Sequence, residues 1–225
     1  QDLKIHSYPI KNNYICCKKN VRSYQLSIIH STISKKIQYW YDTIKEKLKF
    51  SIRNMLVFIN PASGAGHSIK IWSKVEKMFR HSQSNYKVIT TTHAGHVYQY
   101  IKEHDNLLQY DSIIICSGDG LVSECIQGIM HRKNWEDIIK GITIGHIPCG
   151  SGNGLATSVC DFSHESFHYM NAAYIICKNY QRKIDLYSIS NPNNIKDIFY
   201  GFLGLTWGLL SDIDFESEWL RCLGS

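Results

Sequence analysis

Three short stretches of small residues could do chemistry: Ser63-Gly64-Ala65-Gly66, Ser117-Gly118-Asp119-Gly120 and Gly150-Ser151-Gly152-Asn153-Gly154. Glycine lets the backbone adopt positive φ and lie close to a ligand. Amide groups and the positive end of a following helix can then face phosphate oxygens. One such loop is served equally well by tight packing, whereas three in one chain point to phosphate. Their spacing removes two common phosphate binders. No Gly-Lys-Ser/Thr follows Gly64, so this is no Walker loop, and none of the three reads G-x-G-x-x-G, the dinucleotide fingerprint. The middle loop carries an acid. Asp119 is either a turn or helix-cap aspartate or a carboxylate set among phosphates, where it can hold Mg2+ or take a proton from an attacking hydroxyl. Glu124, further along the same stretch, is either a water-mediated metal contact or a polar surface residue.

The elements between these loops follow a rhythm. Apolar runs at 55–59, 86–91, 112–116 and 142–147 each lead into a polar or glycine-rich loop. A stretch with helical apolar spacing then follows, beginning near Ser68, His96, Leu121 and Leu155. Runs so poor in polar residues suit strands covered on both faces. Four strand–loop–helix units in succession predict an α/β fold, a parallel sheet with helices on both faces and right-handed crossovers. Ligands bind outside the carboxyl ends of such strands, which is where all three glycine loops fall. The nucleotide-binding domain is expected over 55–183. Beyond it, 184–190 and 198–210 are strand-like and aromatic around an Asn-Pro-Asn-Asn turn, the expected start of an incomplete β-rich domain over 184–225. Ahead of it, residues 1–54 read as the end of a small β domain. Strands at 3–8 and 24–29 precede an amphipathic helix over 35–49 with Ile37, Trp40, Tyr41, Ile44 and Leu48 on one face.

The formal net charge is +6, but residues 1–54 hold 11 Lys/Arg against 3 Asp/Glu, while the rest of the chain holds 14 against 16. The basic character belongs to the amino-terminal segment, as a solvated face or as a docking face for anionic membrane. No nucleic-acid partner is expected, because no zinc-finger spacing, RNA-binding signature or basic zipper accompanies the charge. Hydrophobic residues at 44% and aromatics at 12% argue against disorder. The eight cysteines include no C-x-x-C pair and fall mostly in apolar runs. They read as buried thiols of a reduced, cytoplasmic protein rather than a disulfide framework or zinc site. No apolar run reaches membrane-spanning length and no signal peptide is evident; the chain reads as a fragment.

Asn60-Pro61 with Gly64 and Gly66, Ser117-Gly118-Asp119-Gly120 with Glu124 beyond, and residues 148–154 followed by Leu155-Ala156 resemble the nucleotide-binding loops of the diacylglycerol-kinase-like lipid kinases. Related Gly-Asp-Gly loops occur in NAD kinases and phosphofructokinases, so that loop does not choose among them. Residues 211–218, preceded by Trp207-Gly208, resemble the substrate-recognition segment of the sphingosine kinases within that family. The resemblance covers residues 55–225. It implies that Asn60, Pro61 and Ala62 line the nucleotide and that Thr91, Thr92, His93, Ala94 and Gly95 flank it. Gly150, Ser151 and Gly152 would wrap the phosphates, and Glu124 and Arg221 would complete the ATP site. Ser117, Gly118, Asp119 and Gly120 would meet the lipid, with Asp119 as the base that takes the proton of a primary hydroxyl.

By the same resemblance Asp214 would pair with the ammonium of a sphingoid base. Ceramide kinases carry an apolar residue there, since an amide needs no counter-charge. The other reading of Asp214 is a surface acid, because Asp212, Asp214, Glu216 and Glu218 alternate along one strand face. Ser63 and Ala65 stand where the family usually has a glycine and a basic residue, His93 and Ala94 where arginines are common, and Gly154 where alanine is usual. The expectation is a cytoplasmic, peripherally membrane-associated enzyme that uses ATP and Mg2+ to phosphorylate a sphingoid base. Ceramide or diacylglycerol as substrate, and a non-catalytic nucleotide- or membrane-binding module, are the alternatives.

Overall fold

The computed structural model describes residues 2–11, 21–30, 34–48, 52–206, 208 and 211. Asp214 and Arg221 lie outside these residues, so the roles expected of them do too. In chain order, strands β1 (Asp2–Ser7), β2 (Ile10–Lys11), β3 (Val21–Arg22) and β4 (Gln25–His30) precede helix α1 (Ser34–Leu48). The central domain follows with β5 (Asn54–Ile59), a short turn α2 (Ser63–Gly66), α3 (Ser68–His81), β6 (Asn85–Thr90) and α4 (His96–Glu103). It continues with β7 (Ser112–Ser117), α5 (Asp119–Met130), α6 (Trp135–Gly141), β8 (Thr143–Pro148), α7 (Gly154–Phe162) and α8 (Tyr169–Cys177). A hairpin of β9 (Tyr187–Asn191) and β10 (Asn194–Gly201) ends the described elements apart from Ser211.

Strands β6, β5, β7 and β8 lie in that order and all run parallel. Successive side chains of a strand point to opposite faces, and here both faces are covered. Leu56, Phe58, Ile113 and Ile115 pack with Val97 and Ile101 of α4 and Val122, Cys125 and Ile129 of α5. Met55, Val57, Ile114, Cys116 and Ile147 pack with Trp72, Val75 and Phe79 of α3 and Ala173 of α8. Each large side chain buried in this way contributes roughly 1.5–3 kcal/mol, which makes these two layers the main source of stability. β6 departs from the expectation of an apolar strand covered on both sides. It pairs with β5 at the sheet edge, and Asn85, Lys87, Val88 and Thr90 are exposed. The strand order has a functional consequence. The chain leaves β5 for one side of the sheet and then returns past it to β7, so the crossovers diverge between β5 and β7, the point at which sheets of this kind bind ligands.

The flanking segments attach to opposite helical layers. Arg22 fastens the amino-terminal strands: its Nε and Nη2 donate to the Glu165 carboxylate, Nη1 donates to the Tyr8 carbonyl, and the guanidinium lies 3.5 Å from the Tyr174 ring centroid. Its backbone amide donates to Asn171 Oδ1 on α8. In α1, Ile37 is buried, yet Trp40 and Tyr41 from the same expected face are 53% and 46% exposed. The hairpin is held on α5 by Gln127, whose amide donates to the Tyr200 carbonyl and accepts from the Tyr200 N–H. β10 stops at Gly201, and residues 202–206 run without strand pairing, short of the extended stretch expected to 210. Among the described residues no helix is long and apolar enough to cross a membrane. Cys116, Cys125, Cys149 and Cys160 are buried free thiols.

Candidate active site

The loops after β5, β7 and β8 interlock through their glycines. Gly64 has φ +57, and a Cβ there would lie 1.9 Å from the Cys149 carbonyl oxygen. A Cβ on Gly150 would lie 2.5 Å from the Gly118 Cα, and one on Gly118 would lie 2.9 Å from the Gly152 carbonyl oxygen. These three glycines therefore let backbone pack on backbone, a role that the sequence reading gave less weight than phosphate contact. Gly95 and Gly120 differ, for a Cβ at either would meet nothing within 4 Å. Ala62, Thr92, His93, Ala94, Gly120, Ser151 and Gly152 are exposed at this end of the sheet, while Thr91 and Ser117 are buried.

Polar side chains set the loop shapes. Asn60 Oδ1 accepts from the Ala62 amide (3.0 Å), closing the turn that carries Pro61. Asn153 clamps Gly150 from both sides, accepting from its N–H (3.1 Å) and donating to its carbonyl (2.6 Å). Glu124 accepts from the amides of Gly95 (2.9 Å) and Val97 (3.2 Å). It thus caps α4 and ties residues 91–95 to α5, a positioning role beside the two considered from sequence. Next to it His93 and His96 stack with ring centroids 5.0 Å apart. A cavity of about 360 Å³ is lined in part by His93, Ala94 and Gly95.

Asp119 opens α5, after Gly118 as cap. Its carboxylate does not serve its own helix but crosses to the start of α7, where Oδ2 accepts from the Gly154 amide (2.6 Å) and Oδ1 from the Leu155 amide (3.2 Å). The Asp119 amide donates to the Gly152 carbonyl (3.1 Å). The acid therefore joins the second loop to the third and keeps 17% of its side chain exposed. Leu203, beyond β10, borders the same place: a Cβ on Gly154 would lie 3.0 Å from Leu203 Cδ2 and 3.5 Å from Asp119 Oδ2.

One residue that sequence reasoning missed stands behind this acid. His146 of β8 is buried, its Nε2 lies 2.9 Å from the Ser117 carbonyl oxygen, and its Nδ1 lies 3.8 Å from Asp119 Oδ1. Burial holds its pKa below the ordinary imidazole value. The available signal was a lone histidine in an otherwise apolar strand, just before the third loop.

Among the described residues no group of three or more His, Cys, Asp and Glu side chains forms a metal cage.

The chain belongs to the diacylglycerol kinase catalytic domain family, whose family model matches residues 54–189. Individual relatives include sphingosine kinases. Sphingosine kinase 2 of Arabidopsis thaliana is 32% identical over 174 residues, covering 77% of this chain and 35% of that protein. Sphingosine kinase 1 of Arabidopsis thaliana is 30% identical over 220 residues, covering 96% of this chain and 44% of its own length. Sphingosine kinase 1 of Caenorhabditis elegans is 35% identical, covering 76% of this chain and 37% of that protein. The chain thus spans well under half the length of these curated relatives. A putative diacylglycerol kinase from Bacillus anthracis str. Sterne superposes with a TM-score of 0.49 at 22% identity, covering 60% of this chain and 44% of that one.

Proposed function

We propose that this chain is the nucleotide-binding part of a lipid kinase that transfers the γ-phosphoryl group of ATP to the primary hydroxyl of a sphingoid base, giving sphingosine 1-phosphate. The observation that carries the reading is the Asp119 carboxylate, held by two α7 amides where the second and third loops meet and still open to solvent. The lipid hydroxyl attacks phosphorus and its O–H bond breaks. The proton passes to Asp119, a new O–P bond forms, and the bond to the β-phosphate oxygen breaks to release ADP. Mg2+ carried with ATP supplies neutralising charge on the phosphates. Such transfer depends on positioning and electrostatics more than on covalent help, which suits a site built largely of backbone.

Sphingosine is favoured over other lipids because the relatives above bear that name and because the resemblance of residues 211–218 implies Asp214 as the counter-charge for a free ammonium. Leu203, exposed beside Gly154, gives the acceptor side an apolar border. The enzyme is read as cytoplasmic and peripherally bound to anionic membrane through residues 1–54, with Trp40 and Tyr41 exposed on α1.

The test uses the full-length protein with radiolabelled ATP and sphingosine, ceramide and diacylglycerol in parallel. Label is expected in sphingosine. Preference for ceramide or diacylglycerol would reassign the substrate, and no transfer to any lipid would leave a nucleotide-binding module. Asp119→Asn is expected to lower kcat by about 10²–10⁴-fold with ATP affinity nearly unchanged. Asp214→Ala should impair sphingosine use far more than ATP binding.

A further inference from the structure

His146 presents a problem that the site as described does not solve. The Ser117 carbonyl oxygen can only accept, so Nε2, 2.9 Å away, carries the imidazole proton. The side chain is 2% exposed and burial favours the neutral ring, so Nδ1 holds a bare lone pair. That nitrogen is buried without a hydrogen-bond partner, a state rare enough in folded proteins to call for a reason. It faces Asp119 Oδ1 at 3.8 Å, too far for a hydrogen bond. With the carboxylate ionised, neither acceptor has a proton to offer the other.

The surroundings of Asp119 supply the reason. The two groups that hold its carboxylate, the Gly154 and Leu155 amides, are donors. They steady the anion but cannot receive a hydrogen bond from the protonated acid. His146 Nδ1 can. We propose that His146 is a positioning residue for phosphoryl transfer, whose Nδ1 accepts the hydrogen bond of Asp119 once that carboxylate has taken the proton of the acceptor hydroxyl. This rests on the kinase reading above.

The proton balance is complete. The hydroxyl O–H bond breaks, the proton bonds to Asp119, the new O–H donates to Nδ1 as the gap closes to about 2.7 Å, and the proton leaves to water after ADP and the lipid phosphate depart. Acid reverses the arrangement. The ionisable group that acts on His146 is Asp119 on α5, and the Ser117 carbonyl on β7 holds its other nitrogen. Because the pKa of His146 lies below its ordinary 6.5, the ring is neutral at and above neutral pH. As pH falls through that lowered value, Nδ1–H forms, pairs with the carboxylate and blocks it from acting as a base.

The experiment compares full-length wild type, His146→Leu and His146→Gln. Leucine fills the buried site without polar atoms, and glutamine keeps an N–H for the Ser117 carbonyl and a carbonyl oxygen that can accept in place of Nδ1, without a ring that titrates. In His146→Leu, kcat for sphingosine is expected to fall about 10–100-fold, with glutamine restoring part of it and KM for ATP within about 3-fold in both. The thermal midpoint of His146→Leu should stay within a few degrees of wild type, since the lost Nε2 hydrogen bond is offset by removal of an unpaired buried nitrogen and the Ser117 carbonyl still accepts from the Cys149 amide. The acid limb of the wild-type rate profile, below pH 6.5, should extend to lower pH in both variants. Wild-type kcat in His146→Leu, a loss in His146→Gln as deep as in His146→Leu, or an unmoved acid limb in both variants, would overturn the proposal while leaving the kinase reading intact. A wild-type protein that phosphorylates no lipid would overturn both.

Discussion

Asp119 sits where two helices begin, on its own first turn and against the first amides of α7. Replacing it therefore has two separable consequences. Besides the loss of turnover predicted above, asparagine can accept from one of the two amides through its single carbonyl oxygen, and should cost about 1–2 kcal/mol of stability, measurable by urea unfolding. The glycines around it divide by what they face. Gly150→Ala drives a Cβ into the Gly118 backbone and is expected to destabilise by about 2–3 kcal/mol or more. Gly120→Ala meets open space and should leave the melting temperature nearly unchanged. A fall in ATP affinity in the folded Gly120→Ala protein, read by titration calorimetry, would show that this backbone faces the nucleotide. At this scale the position of Asp119 in the loop after β7 was legible, since an acid between glycines is conspicuous. His146 and the partners of Glu124 were not, because their meaning lies in groups 27 to 29 residues away.

Between elements, the informative joint is the one Glu124 makes. An α5 side chain caps α4, so residues 91–95 are held by a carboxylate from a neighbouring unit. Glu124→Ala leaves the Gly95 and Val97 amides without that acceptor. It is expected to cost about 1 kcal/mol and to raise amide exchange over 92–97 selectively, with α3 and β7 unaffected. Apolar runs and helical spacing located the four parallel strands and the helices after them to within a few residues. They did not show that β6 is an edge, because strand order depends on which way each crossover passes. Nor did they show that Trp40 and Tyr41 stay exposed on α1: periodicity identifies an apolar stripe, not how much of it is buried.

Across the molecule, the parallel sheet carries an attachment on each helical layer. Arg22 with Glu165 is largely removed from water, the side chains being 14% and 7% exposed. Arg22→Ala would leave a buried carboxylate unpaired, at about 3 kcal/mol or roughly 6–12 °C in melting temperature for a chain of this size. Faster exchange over 21–30 should accompany that loss. On the other layer, Gln127→Leu removes both hydrogen bonds to Tyr200. It should loosen the hairpin, and with it Leu203 beside Gly154, raising KM for the lipid more than KM for ATP. The basic amino-terminal segment should draw the protein onto vesicles containing anionic lipid, and about 0.5 M salt should release it.

Composition and periodicity were enough to specify a parallel α/β domain with glycine loops at the carboxyl ends of its strands, because those features follow from nearest neighbours and from alternation along single segments. The place of Asp119 among those loops was readable for the same reason. What the tertiary structure decided is which groups meet. It made Gly64, Gly118 and Gly150 packing residues, turned Glu124 into a cap and set a neutral histidine behind Asp119. Each of these depends on backbone atoms from distant strands arriving within a few ångströms, and no local pattern encodes such an approach.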